Sequence, residues 1–181
     1  MKKISEKILF EGNWLSLKEF TYLSRDGKEI KWESIERKQQ KVVLVIIGLL
    51  VPSNRYVLIR QYRPAVDNYV IGFPAGISDS DNTAQEALRE LKEETGYAGT
   101  VTGISPPLKV NFGVMDDSCR IINVEIDEKD PVNAKPKQLL EPSEEIEVIL
   151  KRKEEVKEFL MKEKNKGHEI GAGVWYVFGI K

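Results

Sequence analysis

Residues 81–97 read DNTAQEALRELKEETGY, and this stretch predicts an amphipathic helix. Asp81 or Asn82 provides an N-cap, and Gly96 ends the helix after about Thr95, because glycine readily adopts the left-handed conformation that follows a helix. At helical spacing four apolar side chains share one face: Ala84, Ala87, Leu88 and Leu91. The helix is therefore expected to pack this face against the rest of the fold.

The same helix carries a row of acidic side chains. Glu86, Glu90 and Glu94 stand at i, i+4 and i+8, with Glu93 beside the last two. Like charges at this spacing repel each other by a few tenths of a kcal/mol per pair. A solvated acidic face is one interpretation, but such a face would normally interleave lysines. The other is a site for a hard cation, since carboxylate oxygens on a rigid face suit Mg²⁺ or Mn²⁺.

Composition narrows the function classes. The 181 residues have a formal net charge of -1, which predicts neither a nucleic-acid surface nor a membrane-binding face. A single cysteine, Cys119, excludes a disulfide or a cysteine zinc site within one chain. The longest apolar run, Val42–Val51, is too short to cross a bilayer, and no signal peptide is recognisable at the N-terminus. A cytoplasmic protein is therefore expected. His168 lies in a polar segment, and neither a catalytic nor a metal-binding role is expected for it.

The chain divides in the prediction into residues 1–41 and residues 42–181. The first part is expected to form short strands, including Trp14–Tyr22 and Ile30–Ile35, joined by a turn at Asp26-Gly27. Such a small β region cannot bury both of its faces. We therefore expect it to pack on another surface, such as a second subunit.

The second part mixes strands and helices without βαβ regularity, which predicts an α+β fold with a mixed sheet between helices. The β-branched run Val42–Val51 and the alternating segment Arg55–Tyr62 form a predicted hairpin. Ile71–Gly76 is expected to interrupt regular structure. Lys151–Lys166 predicts an amphipathic helix with Val156, Phe159 and Leu160 inward, and Gly171–Ile180 fits either a helix or a strand. Further strands are predicted at residues 101–105, 119–126 and 145–150.

A family resemblance rests on Arg89–Tyr97, RELKEETGY, which resembles the REUxEExGU core of the Nudix box, where U is a bulky apolar residue. The full box is Gx5Ex7REUxEExGU. Here Gly76 is followed by four residues rather than five before Asp81, and Asp81 stands where the family has Glu. We interpret this as a one-residue deletion in the loop before the helix. The resemblance implies a Nudix α/β/α sandwich with a mixed β-sheet, preceded by a small N-terminal β subdomain.

The Nudix resemblance also implies roles for individual residues. Glu90, Glu93, Glu94 and the carbonyl of Ala75 would bind Mg²⁺, with Mn²⁺ as an alternative. Arg89 would hold the turn before the helix through a salt bridge with a box carboxylate. The general base would be Glu144 in a loop before a late strand, with Glu145 and Glu141 as neighbours, or else a box glutamate such as Glu93.

Further segments are similar to the ADP-ribose and ADP-sugar pyrophosphatase branch of the family. These are Asn13–Leu15, Lys31–Ile35, Arg60–Pro64 and Phe73–Gly76, reading NWL, KWESI, RQYRP and FPAG. The similarity implies a domain-swapped homodimer that binds a small nucleotide, and it implies these substrate-binding residues: Trp14, Trp32, Glu33, Arg37 and Arg63. From the residues alone, core packing of each tryptophan and surface ion pairing of each arginine stay open.

The implied activity is Mg²⁺-dependent hydrolysis of nucleoside diphosphate sugars, with ADP-ribose giving AMP and ribose 5-phosphate. The chain departs from the branch at Phe112-Gly113, where Pro-Gly is common, and at Gly72, where Glu is common. Other expected substrates are therefore GDP-mannose, another nucleoside diphosphate sugar or a dinucleotide. An inactive Nudix module that only binds such ligands is the remaining alternative.

Overall fold

The computed structural model describes residues 1–38, 42–78, 80 and 82–179. Over these residues the chain forms twelve strands, three α-helices and one short 3-10 helix at Pro131–Asn133. The strands and helices are β1 Lys2–Glu11, β2 Leu15–Leu23, β3 Glu29–Arg37, β4 Val42–Val51, β5 Arg55–Arg63, β6 Asn68–Gly72, β7 Ala75–Ser78, α1 Thr83–Thr95, β8 Thr100–Ile104, β9 Leu108–Lys109, β10 Ser118–Asp127, β11 Ile146–Arg152, α2 Lys153–Asn165, β12 Glu169–Ile170 and α3 Ala172–Phe178.

The chain separates into two compact units. The first comprises residues 1–43, 77–79 and 106–120, and the second comprises residues 44–76, 80–105 and 121–181. In the first unit β1, β2 and β3 form an antiparallel sheet in that order. The predicted strands at Trp14–Tyr22 and Ile30–Ile35 are confirmed as β2 and β3, and Gly27 takes a positive φ of 81° in the turn between them.

The second unit is built on a mixed sheet with the strand order β12-β6-β5-β4-β10-β8. The pairing of β12 with β6 is parallel, while β4–β5, β5–β6, β5–β11 and β8–β10 are antiparallel. The predicted hairpin of Val42–Val51 with Arg55–Tyr62 is confirmed as β4 and β5. The predicted mixed sheet is therefore present.

Strand β5 is the centre of this sheet. Val57 pairs with Gly48 of β4 and also with Leu150 of β11. Further along, Ile59 pairs with Gly72 of β6 on one side and again with β11 on the other. One edge of β5 is thus shared by β4 and β6, and its other edge is covered by β11.

Helices α2 and α3 pack on one face of β5 through a buried apolar cluster. Its members are at most 7% exposed: Leu58, Ile71, Phe73, Val156, Leu160, Val174 and Phe178. The predicted inward residues of α2 are confirmed, since Val156 and Leu160 are fully buried and Phe159 packs against the cluster while partly buried. Of the two alternatives for Gly171–Ile180, the helix is correct over Ala172–Phe178, and Ile180 lies outside the described residues.

The expectation that Ile71–Gly76 interrupts regular structure was largely wrong. Ile71 and Gly72 end β6, and Ala75 and Gly76 begin β7, so only Phe73-Pro74 lies between strands. Glycine and proline signal a break locally, but pairing of β6 with β5 supplies ladder hydrogen bonds that override this preference. Pro74 itself accepts a hydrogen bond of 2.8 Å from the backbone N–H of Ile46.

Helix α1 is confirmed almost as predicted. Asn82 is the N-cap, and its side-chain oxygen accepts a hydrogen bond of 3.2 Å from the N–H of Gln85. Gly96 ends the helix at φ 78°, and the predicted apolar face is buried at Ala87 and Leu91. Asp81, the other predicted cap and the acid that replaces Glu in the box, lies outside the described residues. Among the helices of the described ranges, none combines the length and the apolar character that a membrane span requires.

Candidate active site

The buried end of the acidic row on α1 is Glu94. The residue is 2% exposed, and one of its carboxylate oxygens accepts a hydrogen bond of 2.9 Å from the N–H of Ala75. Burial raises the pKa of Glu94 to about 8, the Ala75 N–H and Arg63 oppose this rise, and the charges of Glu144 and Glu90 add to it. A carboxylate in this position is short of positive charge, because one amide and one arginine do not offset its burial.

Glu90 lies one turn earlier, and its side chain packs against the backbone of Gly76. A Cβ at Gly76 would lie 2.1 Å from the Cδ of Glu90, so no other residue fits without moving that side chain. Burial raises the pKa of Glu90, Arg89 lowers it, and Glu93 and Glu144 raise it further. The glycine of the box thus gives Glu90 its place beside β7.

Arg89 forms ion pairs with three carboxylates of α1. Its guanidinium lies 2.9 Å from Glu86, 2.5 Å from Glu90 and 2.6 Å from Glu93. Hydrogen bonding to Glu86 and the neighbouring charges raise the pKa of Arg89, although burial opposes them. The predicted salt bridge with a box carboxylate is present, and all of these partners lie on the helix itself.

The pairing of β5 with β11 determines which late glutamate faces α1. Ile146 pairs with Gln61, so extending the register by two residues puts Glu144 opposite Arg63. The backbone supports this extension, because the N–H of Tyr62 donates to the carbonyl of Glu145 at 3.2 Å. Side chains of directly opposed residues lie on the same face of a sheet. Glu144 and Arg63 therefore share a face, which agrees with the finding that both charges act on the pKa of Glu94, Glu144 raising it and Arg63 lowering it.

The two neighbours of Glu144 are placed differently. Glu145 points to the other face, where its carboxylate accepts a hydrogen bond from the hydroxyl of Tyr69. Glu141 is exposed, and its N–H donates to the carboxylate of Glu144 at 2.9 Å. Of the three glutamates considered, Glu144 is the one whose charge acts on Glu90 and Glu94.

The segment that leads to Glu144 is hydrogen-bonded to the C-terminal end of α1. The side-chain amide of Gln138 donates to the carbonyls of Glu94 at 2.7 Å and of Ile146 at 3.1 Å. The N–H of Leu139 donates to the carbonyl of Glu93 at 2.8 Å. Gln138 was not predicted from the sequence, because its role depends on two partners that are distant in sequence and no local pattern marks it.

The side chains on α1 have the donor atoms that a divalent cation prefers, but they are not already arranged around a metal position. Within the described part of the chain, no group of three or more His, Cys, Asp or Glu side chains is arranged to hold a metal ion. Arg89 engages Glu90 and Glu93, while Glu94 bonds to the Ala75 N–H. The donors are nevertheless hard oxygens, and the raised pKa of Glu94 and Glu90 reflects a deficit of positive charge that a cation would supply.

The first unit holds the two tryptophans singled out in the sequence. Trp14 is 78% exposed and Trp32 is 51% exposed, so the core-packing alternative is wrong for both. Trp14 lines an apolar groove of ≈ 430 Å³ with Phe10 and Leu17. Trp32 lines a separate cleft of ≈ 300 Å³ with Phe112, and its indole N–H donates to the carbonyl of Gly113 at 3.0 Å.

The other predicted binding residues divide between the units. On β3 of the first unit, Glu33 is exposed and Arg37 forms an ion pair of 2.9 Å with Asp117. Arg63, on β5 of the second unit, is exposed and lies close enough to Glu94 to lower its pKa. The structure thus groups Arg63 and Glu144 with the carboxylates of α1, and it groups Glu33 and Arg37 with the tryptophans.

Comparison with known families agrees with this geometry. A model of the NUDIX domain matches residues 39–169, which include α1, the strand that carries Arg63 and the segment that carries Glu144. The chain belongs to the Nudix hydrolase family. The predicted fold is confirmed with it, as a mixed sheet with three helices and a separate three-stranded N-terminal sheet.

Two similar relatives of this Nudix hydrolase are pyrophosphatases. ADP-sugar pyrophosphatase of Mus musculus is 32% identical over 153 residues, which cover 80% of this chain and 70% of the relative. ADP-ribose pyrophosphatase of Saccharomyces cerevisiae is 32% identical over 170 residues, or 89% of this chain and 74% of the relative. A crystal structure of an ADP compounds hydrolase has a similar fold, with a TM-score of 0.68 at 17% identity over 92% of this chain and 96% of the other.

Proposed function

We propose that this Nudix hydrolase cleaves the pyrophosphate bond of nucleoside diphosphate sugars, and that ADP-ribose is the preferred substrate, giving AMP and ribose 5-phosphate. The observation that carries this proposal is the convergence of Glu90, Glu144 and Arg63 on the carboxylate of Glu94, which is 2% exposed. The names of the two pyrophosphatase relatives support the choice of substrate class.

The metal-binding role belongs to Glu90, Glu93, Glu94 and the carbonyl of Ala75, and Mg²⁺ is the proposed ion, with Mn²⁺ as the alternative. Bound divalent cations would neutralise the charge that develops on the phosphate oxygens and lower the pKa of water. Glu90 and Glu94 are suited to this role because both have a raised pKa, so a cation would stabilise their charged forms.

Arg63 and Glu144 carry the remaining chemistry in this proposal. The guanidinium of Arg63 pairs with phosphate oxygens and holds the pyrophosphate in line with the attacking water. The water oxygen attacks one phosphorus, the bond from that phosphorus to the bridging oxygen breaks, and Glu144 accepts the proton. Glu93, the other candidate for the base, is paired with Arg89 at 2.6 Å, which favours Glu144.

Recognition of the base is assigned to the first unit. Trp14 and Trp32 would stack on the nucleobase, with Glu33 and Arg37 binding the remainder of the nucleotide. Stacking of a base on an aromatic ring contributes about 1–3 kcal/mol. The exposure of both indoles supports this role, since Trp14 is 78% and Trp32 is 51% exposed.

The proposed assembly is a domain-swapped homodimer. Its support is the exposed apolar surface of the first unit, where Ile8, Phe10 and Trp14 are 53%, 67% and 78% exposed. Apolar surface of this kind usually marks a protein or ligand contact. Sedimentation equilibrium should give twice the chain mass of 20.7 kDa, and a monomer at all concentrations would reject the dimer.

A turnover panel tests the proposed function. The purified protein is incubated with Mg²⁺ and ADP-ribose, ADP-glucose, GDP-mannose or a dinucleotide. An added phosphatase converts the released phosphomonoesters to inorganic phosphate, which is measured. ADP-ribose should have the highest kcat/KM. A preference for another substrate would agree with the departures at Gly72 and Phe112. Binding of ADP-ribose without turnover, with either Mg²⁺ or Mn²⁺, would instead identify a binding module.

A further inference from the structure

Gln61 has a buried side-chain oxygen without a hydrogen-bond partner. The residue is 7% exposed, and over the described ranges its Oε1 is the buried side-chain atom left unpaired. A buried amide oxygen without a donor destabilises a folded protein, so such atoms are rare and call for an explanation. Asn133 provides the contrast, because it is also 7% exposed but its side-chain amide makes three hydrogen bonds.

The face of β5 that carries Gln61 is the face of the active site. Side chains alternate along a strand. Leu58 packs in the cluster with α2, and Arg60 lies 3.0 Å from Glu163 of the same helix, so even-numbered residues face α2. Gln61 therefore faces the opposite side, together with Arg63 two residues later.

The neighbours of Gln61 place it at the base of the catalytic cluster. Ile146 is its direct partner on β11, and Glu144 lies diagonally across on the same face by extension of that register. Arg63, the next residue on this face of β5, acts on the charge of Glu94. The register thus places Gln61 beside Arg63 and Glu144 on one face of the ladder, and Arg60 and Tyr62 on the other face.

Three N–H donors of the active-site region have acceptors other than Gln61. The N–H of Ala75 donates to Glu94, and the amide of Gln138 donates to two backbone carbonyls. The backbone N–H of Tyr62 donates to Glu145. Within the described residues, Oε1 of Gln61 therefore accepts no hydrogen bond in the resting protein.

We propose that Gln61 is a positioning residue for the hydrolysis, and that its Oε1 accepts a hydrogen bond from an O–H group that is present only in the substrate complex. This inference rests on the proposed function. The O–H group is that of the attacking water or of the sugar next to the pyrophosphate. In either case the enzyme keeps an unpaired acceptor in its resting state, at a cost in stability, and uses it during turnover.

The test compares Gln61→Met and Gln61→Leu with the matched control Asn133→Leu. Without substrate, both Gln61 variants should melt at a higher Tm than the wild type, because each removes an unpaired oxygen. The control should melt at a lower Tm, because it breaks three bonds. Both Gln61 variants should also lose about tenfold in kcat/KM on the substrate that the wild type prefers, as expected for one hydrogen bond to the reacting complex.

The two sources of the O–H group give different kinetics. A fall in kcat on every substrate of the panel identifies the water, whereas a rise in KM that differs between sugars identifies a sugar hydroxyl. Either result supports the role of Gln61. Unchanged kinetics in both variants would overturn it, and so would a fall in Tm like that of the control, because Oε1 would then have a partner in the resting protein.

Failure of the proposed function is distinguishable from failure of this inference. If the wild type hydrolyses no pyrophosphate in the panel, the proposed function fails. The melting temperatures still decide whether Gln61 holds a free acceptor: a higher Tm in both variants supports it, and a lower Tm overturns it.

Discussion

In the proposed function, the buried carboxylates of α1 lower the stability of the resting protein and are needed for its activity. Glu94 is buried, and its raised pKa means that the charged form is disfavoured until a cation arrives. Glu90 shares this property to a lesser degree, because 15% of its side chain is exposed and Arg89 lies beside it. Residues that destabilise the resting protein in this way are typical of functional sites.

Glu90→Gln and Glu94→Gln should each lower turnover by several orders of magnitude, because a neutral amide cannot offer a charged oxygen to a cation. Without divalent cations, Glu94→Gln should be at least as stable as the wild type, since it replaces a buried carboxyl whose charged form is disfavoured by a neutral amide that keeps an acceptor for the Ala75 N–H. Steady-state kinetics and urea unfolding in EDTA measure the two effects. Near-normal turnover in both variants would reject the metal assignment.

Glu144→Gln should lower kcat more than it weakens substrate affinity, because the amide cannot accept a proton from water. Glu145→Gln is the matched control, since Glu145 is adjacent in sequence but bonds to Tyr69 on the other face. Single-turnover kinetics separate the two parameters. An unchanged kcat in Glu144→Gln would return the role of base to Glu93.

Gly76→Ala should displace Glu90 and reduce turnover severely, because the new Cβ would lie 2.1 Å from the Cδ of that glutamate. Gly72→Ala is the control, since no heavy atom of the described residues lies within 4 Å of the corresponding position. Circular dichroism checks that both variants fold. Equal activity of the two variants would show that Glu90 does not need the space beside Gly76.

Helix α1 and its caps were the most predictable part of the structure. Local signals alone located them: Asn82 as N-cap, an apolar face and Gly96 after the last turn. What the sequence did not indicate is the second constraint on Gly96, because a Cβ there would lie 2.3 Å from the backbone nitrogen of Lys137. That contact joins segments about forty residues apart, and no pattern within either segment encodes it.

Gly96→Ala should therefore destabilise the protein by more than the cost of a left-handed alanine, which is about 1–2 kcal/mol. Gly167→Ala measures that cost separately, since Gly167 also has a positive φ, 96°, and no heavy atom within 4 Å of a Cβ. Urea unfolding of the two variants gives the difference. Equal losses in the free energy of unfolding of the two variants would mean that the segment at Lys137 moves away from the new Cβ with no loss of stability.

The strands show where prediction from sequence stops. Alternation and β-branched runs located β4, β5 and β10, but β6 and β7 were missed because their pairing with neighbours outweighs the local effect of Gly72 and Pro74. The proposed metal-binding residues on α1 follow from spacing and resemblance. Gln61 and Gln138 do not, because their importance depends on which donors and acceptors the fold leaves nearby.

The complete fold carries a second charged cluster, which joins α2 to the sheet. Glu163 has a side chain that is 4% exposed, and it bonds to Arg60 at 3.0 Å, Lys166 at 2.6 Å and His168 at 2.8 Å. Burial alone would raise the pKa of Glu163, but these partners together lower it to about 2. The cluster links β5, the end of α2 and the residue before β12.

The stability that Glu163 contributes should depend on pH in a defined window. Its pKa is lower in the folded state, so the contribution is complete above about 4.5, the ordinary value, and is lost as the pH falls towards about 2. Glu163→Gln should thus be less stable than the wild type at pH 7, with a smaller difference at pH 3. Urea unfolding at both values measures this.

Glu158→Gln serves as the control for that experiment, because its partner Lys162 is 68% exposed and the pair contributes little. A difference between Glu163→Gln and wild type that is the same at both pH values would contradict the role of the ionised cluster.

The register between β5 and β11 has a consequence for how such enzymes diverge. In the proposed function, two consecutive glutamates differ in role because Glu144 lies opposite Arg63 in the extended register, whereas Glu145 lies opposite Tyr62. A single residue inserted between Glu145 and Ile146 would place Glu145 opposite Arg63 and turn Glu144, the proposed proton acceptor, to the face of Tyr69. Natural variation in length at this junction should therefore occur in steps of two residues.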